Sequence, residues 1–117
     1  MAMRNDGLEI VPSGRALGAD VRGVDLNEPM DDDVFGRILD AWHRHLVLRI
    51  RGQDIDDDAL VAFAQRFGRL HSAAGEEYGG KPEGLHAAVE LISNIVENGR
   101  PIGALGAGEA TWHTDMS

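Results

Sequence analysis

The last seven residues of the chain, 111–117, carry a pair of candidate metal ligands, His113 and Asp115. If this segment forms an extended strand, its side chains alternate between two faces, so residues two apart point the same way. An imidazole nitrogen and a carboxylate oxygen presented together are two ligands of the facial triad that binds non-haem Fe(II). The third ligand, a second histidine, would have to follow Ser117. A His-x-Asp triplet alone is weak evidence, because it also occurs by chance.

Charge and composition limit the partners of the chain. The 117 residues carry a formal net charge of −9, which argues against nucleic acid or an anionic membrane as the main partner, because both require a basic surface. The absence of cysteine excludes disulfide bonds and thiolate metal sites. No apolar run approaches the roughly 20 residues that span a bilayer, and the first seven residues do not form a secretory signal. We therefore expect a soluble cytoplasmic protein.

Two runs of aspartate mark the starts of two predicted helices. One aspartate of each run can cap free backbone N–H groups, and its neighbours favour the positive end of the helix dipole. The runs at 31–33 and 56–58 therefore predict helix starts rather than metal or nucleotide sites. Gly68 follows the second helix and predicts a left-handed C-cap. The apolar stripes that indicate the helices are Val34, Phe35, Ile38, Leu39, Trp42 and Leu46, and then Leu60, Phe63, Ala64 and Phe67.

Five short segments are predicted as strands, and with the two helices they indicate a mixed α/β fold. The apolar run 46–50 predicts a buried strand, and 89–96 is the strongest strand pattern of the second half. Residues 97–100 predict a turn that leads out of it. Glycine is dense from 72 to 110, which is typical of a binding loop or of a segment without fixed structure. The predicted strands are 8–11, 19–24, 46–50, 89–96 and 111–117.

Other catalytic arrangements find no support in the sequence. There is no Gly-x-Ser-x-Gly motif and no cysteine, so a serine or cysteine nucleophile is not indicated. The glycine-rich segment 103–108 lacks the lysine of a phosphate-binding loop. His43 and His45 lie two apart near a predicted helix end, which puts them on different helix faces and makes them poor joint ligands.

The chain resembles the N-terminal part of a protein of the taurine dioxygenase (TauD/TfdA) family, which are Fe(II)- and 2-oxoglutarate-dependent dioxygenases. Four segments carry the resemblance, and they occur in the same order as in that family. Each segment is modestly specific alone, whereas four in order are strong. Together they span nearly the whole chain. The segments are 17–26 (LGADVRGVDL), 46–53 (LVLRIRGQ), 63–71 (FAQRFGRLH) and 112–117 (WHTDMS).

The resemblance implies a fold and a set of site residues. The fold would be the N-terminal portion of a double-stranded β-helix (jelly roll) with flanking helices. Residues 1–117 would be the N-terminal part of one such domain, without its C-terminal jelly-roll portion. His113 and Asp115 would be the first two Fe(II) ligands. His71 matches a histidine that contacts the substrate in the taurine enzyme, and Asn94 is a weaker candidate for the same pocket.

The function that the resemblance implies is oxidative. With 2-oxoglutarate as cosubstrate and O₂, the enzyme would hydroxylate a small organic acid such as a sulfonate, a sulfate ester or a carboxylate. The alternative is a catalytically inactive fragment or an assembly module, packing on another chain through Phe35, Trp42, Phe63 and Phe67, in which case a homo-oligomer is expected. A plain structural domain with an accidental His-x-Asp is a third interpretation.

The resemblance places the second metal histidine and the 2-oxoglutarate-binding arginine downstream of residue 117. We therefore expect residues 1–117 alone neither to bind iron tightly, nor to turn over substrate, nor to fold stably. An intact-mass measurement followed by a succinate assay checks this. O₂-dependent succinate formation by a polypeptide of 12.6 kDa would contradict the expectation.

Overall fold

The computed structural model describes residues 7–70, 88–103, 106–108 and 111–114. The chain divides into two compact units, Met1–Arg69 and Leu70–Ser117. The first unit contains β1 (Glu9–Pro12), β2 (Ala19–Arg22), α1 (Asp32–His45), β3 (Leu48–Arg49) and α2 (Asp57–Gln65). The second contains the short strands β4 (Val96–Glu97) and β5 (Arg100–Pro101). The mixed α/β fold class is thus present in the described residues.

The first unit is built on a three-stranded sheet with the order β1-β2-β3. β1 runs antiparallel to β2, with Glu9 opposite Arg22 and Pro12 opposite Ala19. β3 runs parallel to β2, with Ala19 opposite Leu48. Parallel neighbours need a long crossover connection, and α1 supplies it. The predicted strands 8–11 and 19–24 therefore form, each with bounds that differ by one or two residues.

Helix α1 forms where its predicted cap lies. The Asp31 side chain accepts a hydrogen bond of 2.8 Å from the Val34 backbone N–H, which satisfies one donor that the helix leaves unpaired. The helix ends at His45, and the next residue, Leu46, adopts a φ of 70° while its N–H donates to the Trp42 carbonyl. The predicted apolar stripe is therefore one residue too long, because Leu46 lies beyond the helix and is 62% exposed.

The core lies where α1 covers the sheet. It consists of Leu8, Val21, Val34 and Ile38, and the two largest fully buried side chains are Ile38 and Val21. Burying one such aliphatic side chain contributes about 1.5–3 kcal/mol. The partly buried residues packed around this core are Ile10, Val24, Met30, Leu48, Ile50, Phe63 and Phe67.

Helix α2 begins as predicted but ends differently. The Asp56 side chain accepts a hydrogen bond of 2.8 Å from the Ala59 N–H. At the other end, the cap position is Arg66 in a right-handed conformation, and Gly68 donates its N–H to the Gln65 carbonyl with a φ of 152°. The predicted cap position is therefore wrong by two residues, although Gly68 does have a positive φ of the kind that favours glycine. The chain leaves α2 through tight turns, which satisfy terminal carbonyls of the helix.

Three predicted strands are wrong in extent. The segment 46–50 forms a strand only at Leu48–Arg49, at the edge of the sheet, so it is not buried. The segment 89–96 forms a strand only from Val96, and Ile92 is 87% exposed. Residues 111–114 form no strand. An apolar run becomes a strand only where a neighbour satisfies its backbone groups, and the described residues provide few such neighbours.

The predicted turn at 97–100 is confirmed as the loop of the β4–β5 hairpin. Val96 pairs with Pro101, and Glu97 pairs with Arg100. Between them Asn98 has a φ of 51° and Gly99 a φ of 75°. Two positive φ values in a two-residue loop are typical of a type I′ turn, for which Asn-Gly is the preferred sequence.

The loops that follow β2 and β3 are tied together by the side chain of Gln53. Its Oε1 accepts a hydrogen bond of 2.8 Å from the Leu26 N–H, and its Nε2 donates to the Val24 carbonyl at 2.9 Å. The Asn27 side chain adds a bond of 2.7 Å to the Asp54 carbonyl. One amide side chain, which can both donate and accept, thus supplies hydrogen bonds that join the two loops.

In the described part of the chain, no helix is long and apolar enough to cross a membrane.

The Arg66 side chain fastens the end of α2 to the start of α1. Its guanidinium donates hydrogen bonds to the Met30 carbonyl at 2.8 Å and to the Asp32 carboxylate at 3.0 Å. It also lies over the Phe35 ring, 4.7 Å from the ring centroid. The Asp32 side chain is fully exposed, so that ion pair contributes little. The hydrogen bond to the Met30 carbonyl and the contact with the Phe35 ring are therefore the Arg66 interactions that stabilise the fold.

We expect Arg66→Ala to lower the free energy of unfolding by about 1–2 kcal/mol, because it removes a charged hydrogen bond and a cation–π contact. Urea unfolding followed by circular dichroism measures this. Arg69→Ala is the matched control, because Arg69 is an exposed arginine near the same helix end. Equal destabilisation by the two variants would show that the Arg66 contacts are unimportant.

Asp20 joins β2 to β3 through a charged pair on the exposed side of the sheet. Its carboxylate accepts two hydrogen bonds from the Arg49 guanidinium, at 2.7 and 3.1 Å, and lies 3.5 Å from Arg22. The hydrogen bonds from Arg49, helped by Arg22, hold the pKa of the Asp20 carboxyl below its ordinary value of 3.8. A lowered pKa in the folded state favours folding when the carboxyl is ionised.

This pair therefore stabilises the fold above the unfolded pKa of 3.8, and its contribution is lost as the pH falls through the lower folded pKa. We expect Asp20→Asn to make the stability of the first unit less dependent on pH below about 4. Urea midpoints measured across this acid range test it. Asp40→Asn, which changes an exposed carboxylate on α1, should leave the wild-type acid dependence in place. An unchanged acid dependence in Asp20→Asn would contradict the assignment.

Candidate functional site

The segment 111–114 presents His113 at the surface of the second unit. All four of its residues are exposed, and the Trp112 side chain is fully so. The Nδ1 of His113 forms a hydrogen bond with the backbone carbonyl of Thr111. A carbonyl oxygen can only accept, so Nδ1 carries the proton, and in the neutral ring the lone pair lies on Nε2. This is the tautomer in which a histidine commonly binds a metal ion through Nε2, with the other nitrogen oriented by a carbonyl.

Two of the four predicted site residues are described, and two are not. His113 and Asn94 lie in the second unit, and both are exposed. Asp115 and His71 lie outside the described residues. Across the ranges 7–70, 88–103, 106–108 and 111–114, no group of three histidine, aspartate or glutamate side chains could hold a metal ion. The pairing of His113 with Asp115 therefore stays a prediction, as does the role of His71.

Asn94 lies in a segment that Gly103 holds in place. A Cβ added to Gly103 would overlap the backbone of Ser93, and Gly103 itself is buried. The Ile102 N–H donates to the Ile95 carbonyl at 3.0 Å, so the residues on both sides of Asn94 are fixed by the chain after β5. The sequence indicated Gly103 only as one of many loop glycines. No local pattern distinguishes it, because its role depends on a close approach between distant backbones.

The first unit contributes a basic groove rather than a metal site. The groove has a volume of about 210 Å³ and is lined by Ile10, Arg37, Asp40, Ala41, Arg44 and His45. Arg37 donates a hydrogen bond of 3.1 Å to the Leu8 carbonyl, which anchors α1 to the residue before β1. Arg44 and His45 lie in the last turn of α1, where positive charge complements the helix dipole. The hydrogen bond of Arg37 and the helix-end positions of Arg44 and His45 account for the basic lining of the groove.

The sequence matches the model of a family described as taurine catabolism dioxygenase TauD, TfdA family, over residues 9–117. This match covers nearly the whole chain. The chain belongs to the TauD/TfdA family. The family predicted from the four segments is thereby confirmed.

The relatives that the chain matches are about three to four times as long as the matched region. The chain is 42% identical over 106 residues to pentalenolactone F synthase of Streptomyces avermitilis, which covers 89% of this chain and 34% of that protein. It is 40% identical over 92 residues to the (S)-phenoxypropionate/alpha-ketoglutarate-dioxygenase of Delftia acidovorans, covering 79% and 27% respectively. The chain thus spans about a third of the length of the curated relatives it matches, as expected for an N-terminal part.

A solved structure agrees with this placement. The crystal structure of AAD-2 in complex with Mn(II) and N-oxalylglycine superposes with a TM-score of 0.53 at 28% sequence identity. The superposition covers 55% of this chain and 23% of AAD-2. The mixed α/β arrangement of the described residues is therefore consistent with that of a TauD-like dioxygenase.

Proposed function

We propose that the protein containing residues 1–117 is an Fe(II)- and 2-oxoglutarate-dependent dioxygenase that hydroxylates a small organic acid. The observation that carries this proposal is that the family match runs through Trp112-His113-Thr114-Asp115 without stopping short of the predicted ligands. The name of the similar Delftia protein, an (S)-phenoxypropionate dioxygenase, supports a carboxylate as substrate. A sulfonate or a sulfate ester is the other substrate class that we propose.

The proposed fold of the complete domain is a jelly roll with flanking helices. Residues 1–117 would form its N-terminal part, with the three-stranded sheet and helices α1 and α2 at the start. The support is the coverage, since the chain matches about a third of each similar protein and a quarter of the superposed structure. The edge position of β3 agrees with this, because an edge strand leaves backbone groups for further strands to pair with.

The residues proposed to hold the metal are His113 and Asp115. An imidazole and a carboxylate are the donor types of the Fe(II) facial triad, and the hydrogen bond from His113 Nδ1 to Thr111 fits metal binding through Nε2. When bound, Fe(II) with 2-oxoglutarate and O₂ supplies the oxidising chemistry. The crystal structure of AAD-2 in complex with Mn(II) supports a divalent metal as the bound ion.

The remaining site residues would bind and orient the substrate. The Asn94 side chain offers two N–H donors from a segment that Gly103 keeps in place, which suits an anionic oxygen. His71 would donate a hydrogen bond to the acid group.

We further propose that the protein works in the cytoplasm on a small molecule, with neither nucleic acid nor a membrane as partner, in keeping with its net charge of −9.

The second candidate function is an assembly module without catalysis. The four aromatic residues proposed as its interface largely contact each other, since Phe67 makes edge-to-face contacts with Phe35, Phe63 and Trp42 at centroid distances of 5.0–5.4 Å. What favours the module is an exposed apolar surface formed by Trp42 and by the residues that follow α1. Trp42 is 42% exposed, and Leu46 and Val47 beyond the end of α1 are more exposed still.

We expect His113→Ala and Asp115→Ala each to lower 2-oxoglutarate turnover by at least about 100-fold, because each removes a metal ligand. The measurement is succinate formed per mole of enzyme, with Fe(II), O₂ and a panel of carboxylates, sulfonates and sulfate esters. The test uses the intact polypeptide that contains residues 1–117. His43→Ala, which removes an exposed histidine on α1, is the matched control and should stay within about twofold of wild type.

Metal dependence separates the two candidate functions. If the protein is the proposed dioxygenase, we expect a monomer. Its unfolding temperature should rise with Fe(II) and 2-oxoglutarate under anaerobic conditions, because ligands that bind only the folded state stabilise it. Light scattering and a thermal unfolding scan measure both properties. An oligomer that is indifferent to metal, and that dissociates in Trp42→Ala, would support the module and contradict the dioxygenase.

A further inference from the structure

The Asn98-Gly99 pair in the β4–β5 hairpin carries a chemistry that the proposed dioxygenase does not use. It is the only Asn-Gly sequence in the chain. Both residues are exposed, and so are the strand residues on either side of them. We propose that Asn98 is a site of spontaneous deamidation, and that the isoaspartyl product opens the hairpin.

The reacting atoms are the Gly99 backbone nitrogen and the Asn98 side-chain carbon Cγ. Glycine has no Cβ, so nothing on residue 99 shields its nitrogen. The Gly99 N–H has no acceptor among the described residues, because in this turn the strand pairing closes at Glu97 and Arg100 instead. The attacking nitrogen is therefore accessible, and its N–H makes no hydrogen bond within the described residues.

The reaction needs only water. The Gly99 nitrogen bonds to Asn98 Cγ, the bond from Cγ to the side-chain nitrogen breaks, and ammonia leaves with the former Gly99 proton. Water then opens the resulting five-membered ring. Attack at Cγ gives aspartate, whereas attack at the former peptide carbonyl gives isoaspartate. Overall, asparagine and water become aspartate or isoaspartate and ammonia, with no oxidation or reduction.

The hairpin around Asn98 has little to resist this reaction. It contains two pairs of residues, and a two-stranded hairpin of this kind is marginally stable. Ring closure requires rotation about the Asn98 backbone, which an occasional opening of two pairs permits. Tips of exposed loops are also where local disorder concentrates, which favours such openings.

The isoaspartyl product would not fit the same turn. It adds one carbon to the backbone between Asn98 and Gly99, whereas a two-residue loop fixes the register of both strands. The product also adds a negative charge beside Glu97 in a chain whose net charge is already −9. The pairing next to the loop, Glu97 with Arg100, would be lost first, and the bond from Ile102 to Ile95, which extends the hairpin beyond β5, would follow.

Peptide mapping by mass spectrometry, after incubation of the intact polypeptide that contains residues 1–117 at mildly alkaline pH, tests the site. Asn94 is an internal control, because it is exposed in the same unit but is followed by the branched Ile95. We expect Asn98 to convert at least about tenfold faster than Asn94, since only Gly99 leaves its nitrogen unshielded. Equal rates, or an unchanged Asn98, would overturn the proposal.

Two variants test the roles of Gly99 and of the product. Gly99→Ala should slow conversion about tenfold even though alanine is strained at a φ of 75° and loosens the turn. A wild-type rate in this variant would contradict the mechanism. Asn98→Asp carries the charge of the product without the extra carbon, and should keep the Ile102 amide protected from hydrogen exchange, whereas the isoaspartyl chain should lose that protection. Loss in both would show that charge, and not backbone length, opens the hairpin.

Discussion

The buried cluster of Leu8, Val21, Val34 and Ile38 is the interaction on which the first unit depends. It brings together the residue before β1, the central strand β2 and one face of α1, so removing any of the three would expose the other two. The parallel pairing of β3 follows from it, because α1 must return the chain to the same end of the sheet from which β2 started. Arg66 and Gln53 then fix the loops and α2 around this core.

The parts of the fold that could be predicted from the sequence are those determined within a few residues. The caps at Asp31 and Asp56 and the Asn98-Gly99 turn depend on one side chain and the backbone beside it, and all three form as expected. The strands at 46–50 and 89–96 were predicted too long, because strand formation depends on a partner elsewhere in the chain. The close approach of Gly103 to Ser93 escaped prediction for the same reason.

In the candidate site, too, features set by a few neighbouring residues could be predicted, and features set by distant residues could not. The types of the proposed ligands, one imidazole and one carboxylate, are read directly from residues 113 and 115, and the family is read from the four matching segments. The tautomer of His113 could not be predicted, because it depends on the position of the Thr111 carbonyl in space. The surroundings of Asn94 depend on Gly103, nine residues later in the chain. Sequence alone thus indicates which atoms could act, and the structure supplies what orients them.

The hydrogen bonds that join distant segments of the first unit have a consequence for its folding during synthesis. Its side-chain hydrogen bonds between distant segments span 27 to 36 residues, and the last partner to be made is Arg66. Because a ribosome releases the chain from its N-terminus, all of these partners exist before residues 88–114 have been polymerised. The first unit can therefore begin to compact on the nascent chain before the segment that carries His113 has been made.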